Sequence, residues 1–509
     1  MKILFAVLAI LSVDVINAQK LPTMVYEIDL SQNLDTFFVS LKPEGKLPKS
    51  SNIYQFAATA PGTYQTMNVG RLVSDFKALD KKGRELNVSR ISMNQFTIDQ
   101  PNKISIITYK VAETFDTQLT ELPIYMMAGS SIEMDHGLIN THTMVGYFEG
   151  YQKSPIKIKT IGQKGWETGT ALKKEGDYFI AEDFDEAVDS PILMGNLSFA
   201  DTVIADTKVE IYTYAFSGQI NSKMLMANMS GMLDATRKFL VTLPVDHYTF
   251  LYFFEPNLLG QTGAWEHSYS SEYVLTEEEP TDDFMGRVTD IASHEFFHIV
   301  TPLNIHSEIV ESFNFVEPTT SIHLWMYEGV TEWASHMLQF RGGMVDLDEY
   351  IETALNHKMV VSDSYFDSSW SLKKISDESF KGGEGAKQYG NIYYKGSLVA
   401  SLLDIRLLEL SDGKYGLREL IIELIAKYGK GNPVSEQNFF DDIAQLSFSE
   451  IREFFTLYVL ESNPLPFEEY FAKIGLSFEP DEFGREKVSK MKNMTPEQQK
   501  LYEAWSRNM

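Results

Sequence analysis

The chain has 509 residues, 44% hydrophobic and 13% aromatic, with 71 Asp and Glu against 44 Lys and Arg and a formal net charge of -27. That length holds two or three domains with cores of their own, and that apolar fraction excludes a disordered chain. The charge speaks against a nucleic-acid partner, since no dense Lys/Arg run offsets it, and the absence of cysteine leaves only His, Asp and Glu as metal ligands.

In chain order, residues 1–18 read as a signal peptide. Lys2 gives the positive start, Ile3 to Val13 a short apolar core, and Ala18 the small residue before a cleavage site. The run is too short to span a bilayer, and residue 19 is Gln, so lipid attachment is not indicated. An exported protein, periplasmic or secreted and without a membrane span, is the expectation.

Residues 19–200 read as an N-terminal β domain. Met24 to Leu30 and Lys103 to Val111 alternate apolar and polar, and Pro61-Gly62 and Lys81-Lys82-Gly83 are turn signals between such runs. A β-sandwich or a strongly curved sheet is the expected shape, and nothing in this half carries obvious chemistry. Residues 201–480 form the second domain. Lys208 to Tyr214 is an expected strand, Ile220 to Leu240 a helix and His247 to Phe254 an aromatic strand. From 284 onward helices dominate, among them Ser397 to Leu410 and Leu417 to Tyr428. Residues 481–509 are expected to be a C-terminal tail.

The chemistry starts at residues 294–298, His-Glu-Phe-Phe-His. On a helix, i and i+4 share a face, so His294 and His298 can hold one metal ion, and Glu295 is placed to act on water beside it. Two imidazoles, an open coordination position and a carboxylate base are the minimum kit for zinc-assisted amide hydrolysis. A third ligand is needed. Glu328 lies thirty residues after His298 in Leu324-Trp-Met-Tyr-Glu-Gly-Val-Thr-Glu-Trp, an aromatic stretch where a buried carboxylate needs a partner. Glu332 competes for that role, or orients a ligand histidine from outside.

These residues resemble the gluzincin peptidases, and the thirty-residue gap is similar to that of the glycyl aminopeptidase family. Gly263-Ala-Trp-Glu-His-Ser-Tyr-Ser-Ser resembles that family's Gly-Gly-Leu-Glu-His-x-x-Ser signature, and Tyr393-Tyr-Lys-Gly its Tyr-x-Lys-Gly segment. Ala181 to Ile192 and Asn463-Pro-Leu-Pro-Phe also match, so the resemblance spans roughly residues 24–480. Two departures stand out. Ile299-Val-Thr-Pro-Leu-Asn-Ile-His replaces the family's Trp-Asn and basic residues, and too few residues follow Phe478 for the PDZ domain many members carry.

The resemblance implies a multidomain α+β protein, with a β-sandwich-like N-terminal domain followed by a thermolysin-like, mainly helical zinc peptidase domain. It implies one Zn2+ per chain on His294, His298 and Glu328, Glu295 as base, Tyr393 facing the reacting carbonyl, and Glu266 binding a peptide's α-amine from an edge strand. The expected activity is an aminopeptidase acting on peptides. An endopeptidase of the same fold, or an exported binding protein without catalysis, are the competing readings. Side-chain preference, oligomeric state and roles for His267, His306, His323 and His336 stay open.

Overall fold

The computed structural model describes residues 21–117, 119, 121–480, 484 and 486–507. The expected signal peptide lies outside them. Among the described residues, no helix is long and apolar enough to cross a membrane.

The alternation seen from Met24 becomes the strand Thr23–Asp29, in which every second residue is buried. It sits inside a seven-stranded sheet, antiparallel to Thr36–Glu44 and parallel to Ile156–Ile161. A four-stranded sheet containing Gln95–Ile98 packs on it, with Phe76 of the large sheet stacked on Phe96 at 4.3 Å between ring centres. Tyr26, Phe37, Phe56 and Tyr109 fill the space between them, as in a sandwich core. A second four-stranded sheet, including His136–Ile139 and Ile192–Gly195, faces the rest of the chain.

The second half opens on a five-stranded sheet ordered Ser198–Ile204, Thr207–Ala215, His247–Glu255, Ser270–Thr276, Gly263–Glu266. The three inner strands are parallel. His247–Glu255 is apolar without alternation because both its faces are covered. Phe250, Tyr252 and Phe254 meet the helices, while Leu251 and Phe253 meet Leu138 and Leu193 of the N-terminal half. Gly263–Glu266 is the outermost strand, paired on one side only, with Trp265 opposite Glu272 and Glu266 opposite Ser271.

Helices Ser222–Leu240, Asp282–Phe297, Thr331–Arg341 and Asn391–Leu410 make the body behind this sheet. Within the expected C-terminal tail, the described residues 486–507 form packed elements. Glu486–Lys490 pairs with Leu476–Pro480, and the helix Pro496–Trp505 packs its Trp505 into the core at 2% exposure. Its ordering has a local cause, a reciprocal cap between Thr495 and Gln498, and a tertiary one, the Arg341 Nε–H donated to the Trp505 carbonyl at 2.9 Å.

Candidate active site

The helix Asp282–Phe297 begins where the Thr281 hydroxyl accepts the Phe284 N–H at 3.2 Å, with Asp282 and Asp283 in its first turn complementing the helix dipole. Phe284, Val288, Ala292 and Phe296 bury one face. His294 sits in the last turn and His298 at the C-cap, so both imidazoles leave the helix end on one side. Each ring is fixed through its Nδ1. His294 meets the Glu332 carboxylate at 2.7 Å, and His298 donates to the Thr301 carbonyl at 2.8 Å. The Nε2 atoms are thereby the ones turned to the cavity.

Glu328 enters from a wide helical turn, Trp325–Val330, that runs straight into Thr331–Arg341. Its Oε2 lies 3.4 Å from His294 Nε2 and 3.6 Å from His298 Nε2. A tetrahedron with ligand bonds of about 2.1 Å has edges of about 3.4 Å, so this triad has the spacing of a zinc site. Glu332 stands outside this triad. It takes the outer position, against His294 on one oxygen and against Lys358 and His336 on the other.

The Glu328 turn reaches this place because two glycines let two helices touch backbone to backbone. A Cβ on Gly329 would lie 2.6 Å from the Gly396 Cα, and one on Gly396 would lie 2.8 Å from the Gly329 Cα. Gly396 is three residues after Tyr393, so the contact that seats Glu328 also hangs Tyr393 over the same cavity, its ring 5.7 Å from that of His294. Gly396→Ala is therefore expected to cost about 1–3 kcal/mol of stability through overpacking. Gly286→Ala, where a Cβ meets nothing within 4 Å, should instead gain a little from helix propensity. Urea melts of the two variants check both signs.

Glu266, the last residue of the edge strand, turns its carboxylate to the cavity. One oxygen of Glu266, one of Glu295 and a ring nitrogen of His298 lie within 4.8 Å of one another. All six residues singled out in the sequence, His294, Glu295, His298, Glu328, Tyr393 and Glu266, thus line one cavity of about 330 Å³. Of the unassigned histidines, His336 lines it through Glu332, but the others do not. His267 is held by Asp189 at 3.2 Å, His306 is paired to Glu311, and His323 is buried against the Glu436 carbonyl at 3.0 Å.

Several neighbours were not legible in the sequence. Tyr389 shares a hydroxyl–hydroxyl contact of 3.2 Å with Tyr393. Lys358, 3% exposed, neutralises Glu332. Gly62 and Thr63 of the N-terminal half line the cavity beside Glu266, so that half does carry part of the site. The Pro61-Gly62 turn signal was the only hint of this, and it pointed to a turn, not to a site.

The electrostatics suit a cation. Burial pushes His298 down to about 4, against the pull of Glu328, which keeps the imidazole neutral and able to ligate. Burial would raise Glu328, but His294 and His298 hold it below the usual carboxylate range. Burial also works against His294, yet Glu328 and Glu332 raise it well above its ordinary value. Two carboxylates thus draw positive charge to the point where the triad converges. The residues fit a zinc ion in spacing, donor type and outer support.

Two family models match the chain: the Peptidase M61 N-terminal domain over residues 25–196 and the M61 glycyl aminopeptidase over residues 287–399. The second contains the His-Glu-x-x-His helix, Glu328 and Tyr393. The chain belongs to the M61 peptidase family. It is accordingly a metallopeptidase, and the resemblance drawn from its motifs holds. No curated protein sequence matches significantly.

Solved structures place the fold with the thermolysin-like M1 peptidases. An aminopeptidase N family protein from Idiomarina loihiensis is similar at a TM-score of 0.78 and 19% identity, covering 91% of this chain and 81% of its own. An M1 zinc metallopeptidase from Deinococcus radiodurans follows at 0.53 and 11%, covering 88% and 95%. Native yeast LTA4 hydrolase stands at 0.51 and 11%, covering 88% and 68%. The M61 chain shares with them an N-terminal β-rich domain followed by a helical one.

Proposed function

We propose that this M61 protein is an exported aminopeptidase that holds one zinc ion on His294, His298 and Glu328 and removes single residues from the N-terminus of peptides. The observation that carries the reading is the position of Glu266. One of its carboxylate oxygens lies within 4.8 Å of both a Glu295 oxygen and a ring nitrogen of His298. Within one amino acid the α-nitrogen and the carbonyl carbon are only about 2.5 Å apart, and each further residue adds about 3.5 Å. An anchor this close to the base suits an ammonium on the residue whose carbonyl is attacked, not one farther along. Burial and the nearby Glu328 and Glu295 raise Glu266 well above its ordinary range, a state that a docking ammonium relieves. Export is supported by residues 1–18 alone.

When bound, zinc supplies Lewis-acid polarisation of the scissile carbonyl and of the attacking water. The protein groups do the rest. Glu266 holds the α-ammonium, and the one-sided strand Gly263–Glu266 offers backbone groups to an extended peptide. Glu295 takes the proton of the attacking water and returns it to the leaving amine. Tyr393 donates its hydroxyl to the oxygen that gains charge. Glu332, held by Lys358, keeps the His294 ring in place.

Tyr393→Phe deletes that donor with little change of volume. Transition-state stabilisation should fall by on the order of 3 kcal/mol, mostly in kcat. Tyr394→Phe, one residue on, should change little.

The direct test is a panel of amino-acid anilides with free and N-acetylated amines, with and without chelator. Free-amine substrates should turn over much faster, chelator should stop all turnover, and Glu266→Ala should erase most of the preference. The preference should fade above about pH 8, where an α-amine loses its proton. Equal cleavage of free and acetylated substrates by the wild type removes Glu266 as an amine anchor and puts the endopeptidase reading first.

A further inference from the structure

The N-terminal half contributes a short loop, Thr59–Tyr64, that crosses the end of the cavity where Glu266 stands. Hydrogen bonds hold it at its start and along its length. The Ala58 N–H donates to the Phe315 carbonyl at 2.7 Å, the Thr63 hydroxyl to the Ala60 carbonyl at 2.7 Å, and the Trp265 indole to the Pro61 carbonyl at 3.2 Å. Gly62, at φ +82, is pressed so close to the edge strand that a Cβ there would lie 2.5 Å from both the Glu266 carboxylate and the Trp265 indole nitrogen. Tyr64 then leaves the loop at φ 44, a left-handed conformation that costs a non-glycine residue energy. Its ring lands on the opposite wall, 5.1 Å from the Tyr389 ring and 5.8 Å from that of Phe380.

The loop is also a partition. Gly62 and Thr63 line the catalytic cavity. Ala60 and Pro61 line a second cavity of about 310 Å³ between the two halves of the chain. Trp265, Glu266 and His298 belong to both. A peptide whose N-terminus ran on past the attacked residue would have to pass through this wall. We propose that the Thr59–Tyr64 loop is an end stop, lent by the N-terminal domain, that limits cleavage to one residue from the amino end.

The inference rests on the aminopeptidase reading and adds a steric element to the charge of Glu266. It locates the exopeptidase limit in a segment remote in sequence from the zinc motif. The left-handed backbone of Tyr64 goes with a ring set 5.1 Å from Tyr389, and the lack of a side chain at Gly62 leaves room for the Glu266 carboxylate.

The test uses the full-length protein, wild type and two variants. Tyr64→Ala removes the bar against Tyr389, and Trp265→Phe keeps a ring but frees the Pro61 carbonyl. In both, zinc content and melting temperature are measured first. The ratio of acetylated to free anilide turnover should then rise by about tenfold or more, the order of change expected when a pocket comes to admit one added small group. From the amino end of a five-residue peptide, wild type should release only the first residue at each cut, whereas the variants should also release the intact N-terminal dipeptide.

Release of the intact N-terminal dipeptide by the wild type overturns the stop. So does an unchanged ratio in zinc-loaded variants that still cleave free-amine substrate, which leaves the limit to Glu266 alone. If Tyr64→Ala does not fold, Trp265→Phe and the wild-type product lengths decide. A wild type that ignores acetylation overturns the aminopeptidase reading together with the stop, whereas a discriminating wild type with equally discriminating variants overturns the stop only.

Discussion

Glu295→Gln is expected to keep the metal and lose the reaction. The amide matches the carboxylate in size but cannot take a proton, so kcat should fall by ~10²–10⁴-fold, the usual worth of a positioned base. Zinc content should be unchanged, because the side chain is no part of the His294, His298 and Glu328 triad. The pH profile gives a second readout. Burial lifts the Glu295 carboxyl to about 7, against the pull of His294. A bound dication favours the ionised form and moves that value down. The acid limb of kcat/KM in the wild type should therefore lie below pH 7, with activity lost as the pH falls and the base is protonated. In Glu295→Gln the limb should disappear, leaving a low, flatter profile. A variant with near wild-type turnover, or one that keeps the limb, takes Glu295 out of the role of base.

How far the site could be read from the sequence tracks how local its geometry is. His294, Glu295 and His298 are fixed relative to one another by one helix, so their spacing alone gave the arrangement. Glu328 was reachable because a carboxylate among Trp325, Met326 and Tyr327 has to be buried, and a buried carboxylate needs a cation. Why it lands 3.4 Å from His294 was not legible. That follows from the Gly329–Gly396 contact, which joins segments 67 positions apart, and a glycine in a helix gives no sign of what it touches. Tyr393 and Glu266 came only through motif resemblance, since a tyrosine near Tyr389 and Tyr394, or a glutamate ending a strand, is unremarkable alone.

The part played by the N-terminal loop was not legible in the sequence. Its contact with the site joins Trp265 to Pro61 across 204 positions, and the strained backbone of Tyr64 has no signature in residue type. In the fold, alternation identified half-buried strands such as Thr23–Asp29. The unbroken apolar run of His247–Glu255 is explained once both faces of its sheet are seen to be covered. The segment after 480 is polar in composition apart from a few residues, and its two apolar anchors, Val488 and Trp505, each 3% exposed or less, are too few to mark packed elements.

His298→Ala should have the largest effect of any single change. It removes one of three converging donors and leaves the Glu328 carboxylate, 2% exposed, with His294 as its remaining imidazole partner. Zinc affinity should fall by well over the ~10–100-fold that a lost outer partner costs, and activity should fall below detection with it. Glu332→Gln sets the comparison. It weakens the hold on the His294 ring without touching the triad, so its loss of affinity should stay within that ~10–100-fold range. Stability should follow the metal by mass action. At free zinc a thousandfold above the dissociation constant, binding adds about 4 kcal/mol to the folded state. Chelator should therefore lower the melting temperature of the wild type and of Glu332→Gln, but leave that of His298→Ala where it is. Metal analysis and melting curves with and without chelator read both effects on the same samples. Zinc held by His298→Ala with wild-type affinity would show that the ion sits elsewhere and that the convergence of His294, His298 and Glu328 has another cause.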